Sequence, residues 1–159
     1  MKREPDRIDR RILHELQENG RLSIVELAQR VNLTKTPCAQ RVRRLEREGF
    51  IKGYRAELDA DRLGIGHIMV VMVTLSQTSD TALEDFNTAV RRIPEVQSCY
   101  LVAGDFDYLI KVRTSDIAHY RNVLGEQIGK LPCVQQTHSY VVMEQVKDDA
   151  RLPVRRRGE

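Results

Sequence analysis

The chain has 159 residues, 41% hydrophobic and 31% charged, with no apolar run long enough to span a bilayer and no signal-peptide pattern after Met1-Lys2-Arg3-Glu4-Pro5, so a soluble cytoplasmic protein is expected. Cys38, Cys99 and Cys133 are odd in number, widely separated and without a C-x-x-C pair, which argues against a disulfide framework and a structural zinc site. The net charge of +3 is uneven: residues 1–59 hold 14 Lys and Arg against 10 Asp and Glu, residues 60–150 hold 8 against 12, and residues 151–159 hold 4 Arg against Glu159. A basic front and an acidic middle point to two jobs, with phosphate as the first partner.

In chain order, Asp6 is suited to cap a helix whose apolar positions Ile8, Ile12, Leu13 and Leu16 recur at helical spacing, and Asn19-Gly20 ends it. Ser23 with Glu26 three residues later has capping-box form, opening a short helix with Val25, Leu27, Ala28 and Val31 as apolar positions. Asn32 to Lys35 reads as a tight turn. Thr36-Pro37 reads as cap plus first-turn proline of a third helix that runs to about Glu48 and stops at Gly49. Three short helices with such a turn form a helix-turn-helix.

On the third helix Cys38, Val42 and Leu45 share an apolar face and leave Lys35, Thr36, Gln40, Arg41, Arg43, Arg44 and Arg47 largely outside it. Arginine grips phosphate or reads guanine, glutamine reads adenine, and the N-terminal end of such a helix enters the major groove. The bland alternative is a solvated helix whose arginines pair with Glu46 and Glu48. The DNA-facing set is therefore Ser23, Thr34, Lys35, Thr36, Pro37, Gln40, Arg41, Arg43, Arg44 and Arg47. Residues 50–56 alternate as a strand, a wing that would bring Lys52 or Arg55 to the DNA backbone.

Residues 59–66, with Asp59, Asp61, Gly64 and Gly66, read as a linker. Beyond it the pattern is strand 67–75, helix 81–92, strand 96–103, strand 106–113, helix 116–130 and strand 134–143. An echo supports two β-α-β halves: Ile93-Pro94-Glu95-Val96 and Leu131-Pro132-Cys133-Val134 lie 38 positions apart. The fold class is α+β, a winged helix-turn-helix followed by a ferredoxin-like βαββαβ sandwich. Strand 67–75 is apolar at nearly every position, which predicts that a second subunit covers its far face. The boundaries expected are 1–58, 59–66, 67–148 and a basic tail 149–159.

Gly104-Asp105-Phe106-Asp107 forms a hairpin loop open to three readings: a plain turn, a divalent-cation site short of oxygen ligands, or a ligand site in which an aspartate accepts from the α-ammonium of an amino acid. Catalysis is not expected. No nucleophile elbow, zinc-protease, P-loop or dinucleotide motif is present, and His14, His67, His119 and His138 are scattered. An RNA-binding module of the same element order needs paired aromatics on the central strands, whereas Phe106 and Tyr108 stand beside an acidic loop.

Over residues 6–150 the chain resembles the leucine-responsive/asparagine regulator (Lrp/AsnC) family. The resemblance is carried by Asp6-Arg7-Ile8-Asp9, Leu33-Thr34-Lys35-Thr36-Pro37-Cys38, Arg41-Val42-Arg43-Arg44-Leu45-Glu46, Gly49-Phe50-Ile51 and Gly104-Asp105-Phe106-Asp107-Tyr108. Phe86 to Val90 and Tyr140 to Glu144 are similar to the leucine-responsive branch, and proline-catabolism activators are also close. The resemblance implies a regulator of amino-acid metabolism genes that binds double-stranded DNA, is nucleoid-associated and needs no cofactor or metal. It implies dimers built on the C-terminal sheets, octamers made from them, and an amino-acid effector such as leucine or proline held between dimers. It assigns the effector site to Leu101, Val102, Gly104, Asp105, Phe106, Asp107, Tyr140, Val141 and Val142, with Asp107 foremost. An amino-acid-independent architectural DNA-binding protein is the alternative. Arg155-Arg156-Arg157 lies outside the matching region and is expected to be disordered or a weak DNA contact.

Overall fold

The computed structural model describes residues 4–154; the arginine run 155–157 lies outside them. The described residues divide into two compact units, one of residues 4–57 and 148–154, the other of residues 58–147.

The first unit holds α1 (Arg7–Glu18), α2 (Ile24–Arg30) and α3 (Lys35–Arg47) around Ile12, Leu27, Ala28, Val31, Cys38, Val42 and Leu45. Its helix ends are set by local chemistry. Asp6 accepts from the N–H groups of Ile8 and Asp9, both at 2.9 Å, while Asp9 accepts from the Asp6 N–H at 3.0 Å. Ser23 and Glu26 make the same reciprocal pair on α2. Both α2 and α3 end in a Schellman turn: Leu33 N–H reaches Ala28 O at 2.8 Å and Phe50 N–H reaches Leu45 O at 2.9 Å. The residues that make these turns possible are Asn32 and Gly49, at φ 56° and 79°.

Three expectations are corrected in this unit. The cap of α3 is Thr34 rather than Thr36, and Pro37 is the third helical residue; a first-turn proline has no intrahelical N–H bond to lose, so the helix starts earlier. Val25 is half exposed instead of packing inward. Residues 50–56 form no strand. Gly53 sits at φ 155°, and no second strand among the described residues pairs with this segment. It is held instead by Ile51 N–H on Leu45 O and by the Tyr54 hydroxyl on Glu46 at 3.0 Å.

The second unit is a four-stranded antiparallel sheet in the order β2-β3-β1-β4, with β1 (His67–Leu75), β2 (Val96–Leu101), β3 (Tyr108–Thr114) and β4 (Val134–Val141). Helices α4 (Asp80–Val90) and α5 (Ile117–Glu126) supply Phe86, Val90, Tyr120 and Val123 to a core with Met69, Val71, Val73, Ile110 and Val112. The second helix is shorter than expected, because Ile128–Lys130 tightens into a 3₁₀ turn. The two proline echoes close the same turn: Val96 N–H reaches Ile93 O at 3.2 Å and Val134 N–H reaches Leu131 O at 3.3 Å. Each launches an edge strand.

From Met69 to Leu75 the odd-numbered residues of β1 face the helices and are buried, while Val70, Met72 and Thr74 turn to the other face and are only half-buried. Leu109 and Lys111 of β3, Tyr100 of β2 and Tyr140 of β4 share that open face by register. Tyr108, weighed above as an RNA-stacking aromatic, faces the helices; it is 1% exposed, and its ring stacks on Phe86 with centroids 4.2 Å apart. Phe86→Ala opens a cavity beneath this stack and is expected to destabilise the unit by about 3–5 kcal/mol, read from the urea midpoint. An unchanged midpoint would contradict the packing described.

Candidate functional site

Helix α3 sorts its side chains by angle. Thr36, Gln40, Arg43 and Arg47 recur at i, i+4, i+7 and i+11 and are all exposed. They form one stripe opposite the buried Cys38, Val42 and Leu45. Thr34 and Lys35 are exposed at the N-terminal end, Pro37 is half-buried, and Thr34 makes no side-chain cap bond. Ser23 is exposed, but its hydroxyl accepts the Glu26 N–H at 3.2 Å and so caps α2.

Arg41 and Arg44 leave the exposed set. They project from the flank of α3 toward α1, where Asp9 is 0% exposed. Arg41 donates to Asp6 at 2.6 Å and to Asp9 at 2.8 Å, and Arg44 donates to the other Asp9 oxygen. Glu48 lies 4.0 Å from Arg44, so it is the acids of α1, more than those of α3, that take up these charges. A buried carboxylate without partners costs several kcal/mol; with three donors its charge is compensated. Arg41 and Arg44 therefore fix α3 against α1. Asp9 was missed in the sequence reading, although a signal existed: with Ile12, Leu13 and Leu16 at i+3, i+4 and i+7, it lies within the apolar stripe of α1.

Burial raises the Asp6 pKa, but the Arg41 hydrogen bond, the N–H groups of Asp9 and Ile8, and the Arg41 charge outweigh it and hold the carboxyl at about 2. Burial pushes the Cys38 thiol up, as befits an inert packing residue.

The loop between β2 and β3 is tied to the end of β1. Val102 N–H donates to Asp107 O at 2.9 Å, Asp107 N–H to Val73 O at 3.0 Å, and Leu75 N–H to Asp107 Oδ2 at 2.7 Å. Asp107 is half-buried, whereas Gly104 and Asp105 are exposed and Phe106 is half-buried. Among the described residues, no group of three His, Cys, Asp or Glu side chains is placed to hold a metal.

The second half of the expected effector set lies elsewhere. Tyr140 pairs with Val70, Val141 with Met69, and Val142 N–H with Ile68 O, toward the start of β1. Leu101 is level with Tyr108 and Val73, at the other end. Three strand spacings across and three residues along put Leu101 and Tyr140 roughly 17 Å apart. One chain does not bring these residues together.

Residues 5–52 match the winged helix-turn-helix DNA-binding model, and residues 68–152 match the Lrp/AsnC ligand-binding domain. The chain belongs to the Lrp/AsnC family. It is 54% identical to the proline dehydrogenase transcriptional activator of Rhizobium radiobacter over 90% of this chain and 92% of that protein. It is 52% identical to the leucine-responsive regulatory protein of Escherichia coli K12 over 96% of this chain and 93% of that protein. A transcriptional regulator of Neisseria meningitidis, solved as an L-Met complex, superposes with a TM-score of 0.88 at 34% identity, covering 94% of this chain and 96% of that one. Lrp/AsnC proteins are transcription regulators, with a DNA-binding and a ligand-binding domain, rather than enzymes.

Three outcomes follow for the Lrp/AsnC helix-turn-helix. Because the Asp6 pKa is depressed on folding, its stabilisation is present above the ordinary carboxylate value near pH 4 and is lost as pH falls toward about 2. Acid unfolding of the N-terminal unit by circular dichroism is expected to show this loss in the wild type and a flatter profile in Asp6→Asn. Separately, Arg43→Ala is expected to weaken DNA binding by about 1–3 kcal/mol with stability unchanged. Arg41→Ala is expected to lower stability by about 2 kcal/mol. If Arg41→Ala kept wild-type stability, its positioning role would fail.

Proposed function

We propose that this protein regulates transcription by reading duplex DNA with α3 and by binding a small amino acid at a site completed by a second copy of the chain. The observation that carries this reading is the separation along β1: the 101–107 loop and Tyr140 to Val142 lie too far apart for one amino acid to touch both within a single chain. An apposed copy supplies the missing half. The open sheet face around Val70, Met72, Tyr100 and Tyr140 gives a surface for dimerisation, and further assembly to octamers joins the half-sites. DNA as the partner supports a cytoplasmic location in association with the nucleoid.

On the DNA side, Thr34, Lys35 and Thr36 enter the major groove, Gln40 and Arg43 reach base edges, and Arg47 meets a phosphate. Arg41, Arg44 and Ser23 hold this surface in place. Among the described residues no helix is long and apolar enough to cross a membrane.

On the ligand side, Asp107 spends Oδ2 on Leu75 and has Oδ1 left to accept from an α-ammonium. The relatives' names direct the choice of ligand to leucine, proline and methionine. Binding across copies shifts the assembly equilibrium, which changes how many DNA half-sites are held at once.

The test is a thermal-shift series with L-leucine, L-proline and L-methionine, run beside analytical sedimentation. A ligand at one hundred times its dissociation constant adds about 2.7 kcal/mol to stability. Asp107→Asn keeps an acceptor for Leu75 and is expected to retain the unliganded midpoint while losing the ligand shift. Asp107→Ala leaves the Leu75 N–H unpaired and is expected to cost about 1–3 kcal/mol without ligand. A ligand that stabilises a strictly monomeric species would refute the shared site. Absence of any shift would favour an architectural regulator.

A further inference from the structure

The pairing of Arg41 and Arg44 with α1 raises the question of which cations of the first unit face an anion. Arg30 is taken by Glu15 at 3.1 Å, and Arg151 by Glu18 at 2.8 Å and Asp149 at 2.9 Å. Arg7 and Arg11 of α1 have no carboxylate within ion-pair distance among the described residues. Both line a cleft of about 520 Å³ whose remaining walls are Asp6, Ile8, Val31 and Asn32. Arg11 Nε, like Arg10 Nε, is buried without a hydrogen-bond partner among the described residues, and of the two only Arg11 lines the cleft.

We infer that this cleft is a phosphate-binding site for the DNA backbone, with Arg7 and Arg11 as its ligands, adding to the contacts of α3. The inference rests on the proposed DNA-reading role of α3. Position supports it: Asn32, at φ 56°, begins the turn that leads within three residues to Lys35, so the cleft lies about 10 Å of chain from the groove-entering end of α3. A surface flanking a helix in the major groove meets the sugar-phosphate rim, and both guanidiniums are fixed forks suited to phosphate oxygens.

Asp6 is the one carboxylate in the wall, and its charge is already engaged by Arg41 at 2.6 Å and by the N–H groups of Ile8 and Asp9. With those N–H groups taken, attraction for an anion comes from the two guanidiniums and not from the helix end. Val31 and Ile8 make part of the wall apolar, which lowers the local dielectric around the pair.

The experiment uses full-length protein and a labelled 40-base-pair duplex of arbitrary sequence, since phosphate contacts are blind to sequence. Binding is followed by anisotropy from 50 to 200 mM KCl. Each phosphate neutralised contributes about 0.9 to the slope of log affinity on log salt. Arg11→Gln and the more exposed Arg7→Gln are each expected to make the slope shallower by up to that amount, equally on two unrelated duplexes. Arg11→Lys, which keeps the charge, is expected to restore it, and thermal midpoints near wild type exclude a folding effect.

Wild-type slopes in both glutamine variants would overturn the inference, as would a loss confined to one DNA sequence. A thermal shift with inorganic phosphate that Arg11→Gln removes, without any change in DNA slope, would make the cleft a free-anion site and likewise overturn it. If Arg43→Ala weakens binding while the cleft variants do not, the α3 interface stands and the cleft alone falls. Failure of the wild type to bind any duplex would remove both.

Discussion

The first unit depends on one buried charge. Asp9 is wholly removed from water, so its carboxylate must find donors inside the protein, and it takes them from its own N-cap, Arg41 and Arg44. Arg41 and Arg44 stand three residues apart on α3, so holding both on one carboxylate sets the rotation of α3 about its axis as well as its distance from α1. That rotation is what turns Thr36, Gln40, Arg43 and Arg47 outward together. An apolar residue at position 9 would serve packing but would hold the roll angle set by Cys38, Val42 and Leu45 less tightly, because hydrophobic burial is non-directional. The cost is charge: of the five basic residues of α3, two no longer contribute freely to the field that attracts DNA. A helix-turn-helix built this way trades some electrostatic attraction for a fixed orientation of its exposed stripe.

The second unit is governed by the antiparallel order β2-β3-β1-β4. β1 is central, so it hydrogen-bonds on both sides and needs apolar residues toward the helices at every second position. The hairpin loop after β2 is consequently tethered to the far end of β1, where Asp107 accepts from Leu75, while β4 ends beside the beginning of β1. The topology fixes this separation, and no side-chain rotation removes it.

Much of this was legible in the sequence because it rests on local rules. The caps at Asp6 and Ser23, the stop at Gly49, the span of β1 and the two proline-led edge strands follow from dihedral preferences and unsatisfied N–H groups that neighbouring residues decide. What was not legible depends on partners distant in the chain. Arg41 and Arg44 look like DNA ligands by composition, and only the proximity of α1, more than 30 residues earlier, turns them inward. The alternating segment 50–56 has a strand's pattern, but a strand also needs a neighbour to accept its bonds, and periodicity does not report whether one is there. Similarly, periodicity does not say whether the loop and Tyr140 meet within one chain; the register decides that, and register is set by tertiary pairing.

On the proposed reading, sharing a ligand site between copies has a consequence that a self-contained pocket lacks. If the ligand binds only where two copies meet, binding and assembly are linked, and by reciprocity each strengthens the other by the same factor. The response then varies with protein concentration as well as with ligand. DNA enters the same linkage, since a protein held on several half-sites has a raised effective concentration for its neighbours. The tie between Asp107 and Leu75 anchors the loop to β1 within a single chain, without help from a second copy. The loop therefore pays little ordering entropy when the copies meet, and the free energy of ligand binding goes largely into the choice of assembly.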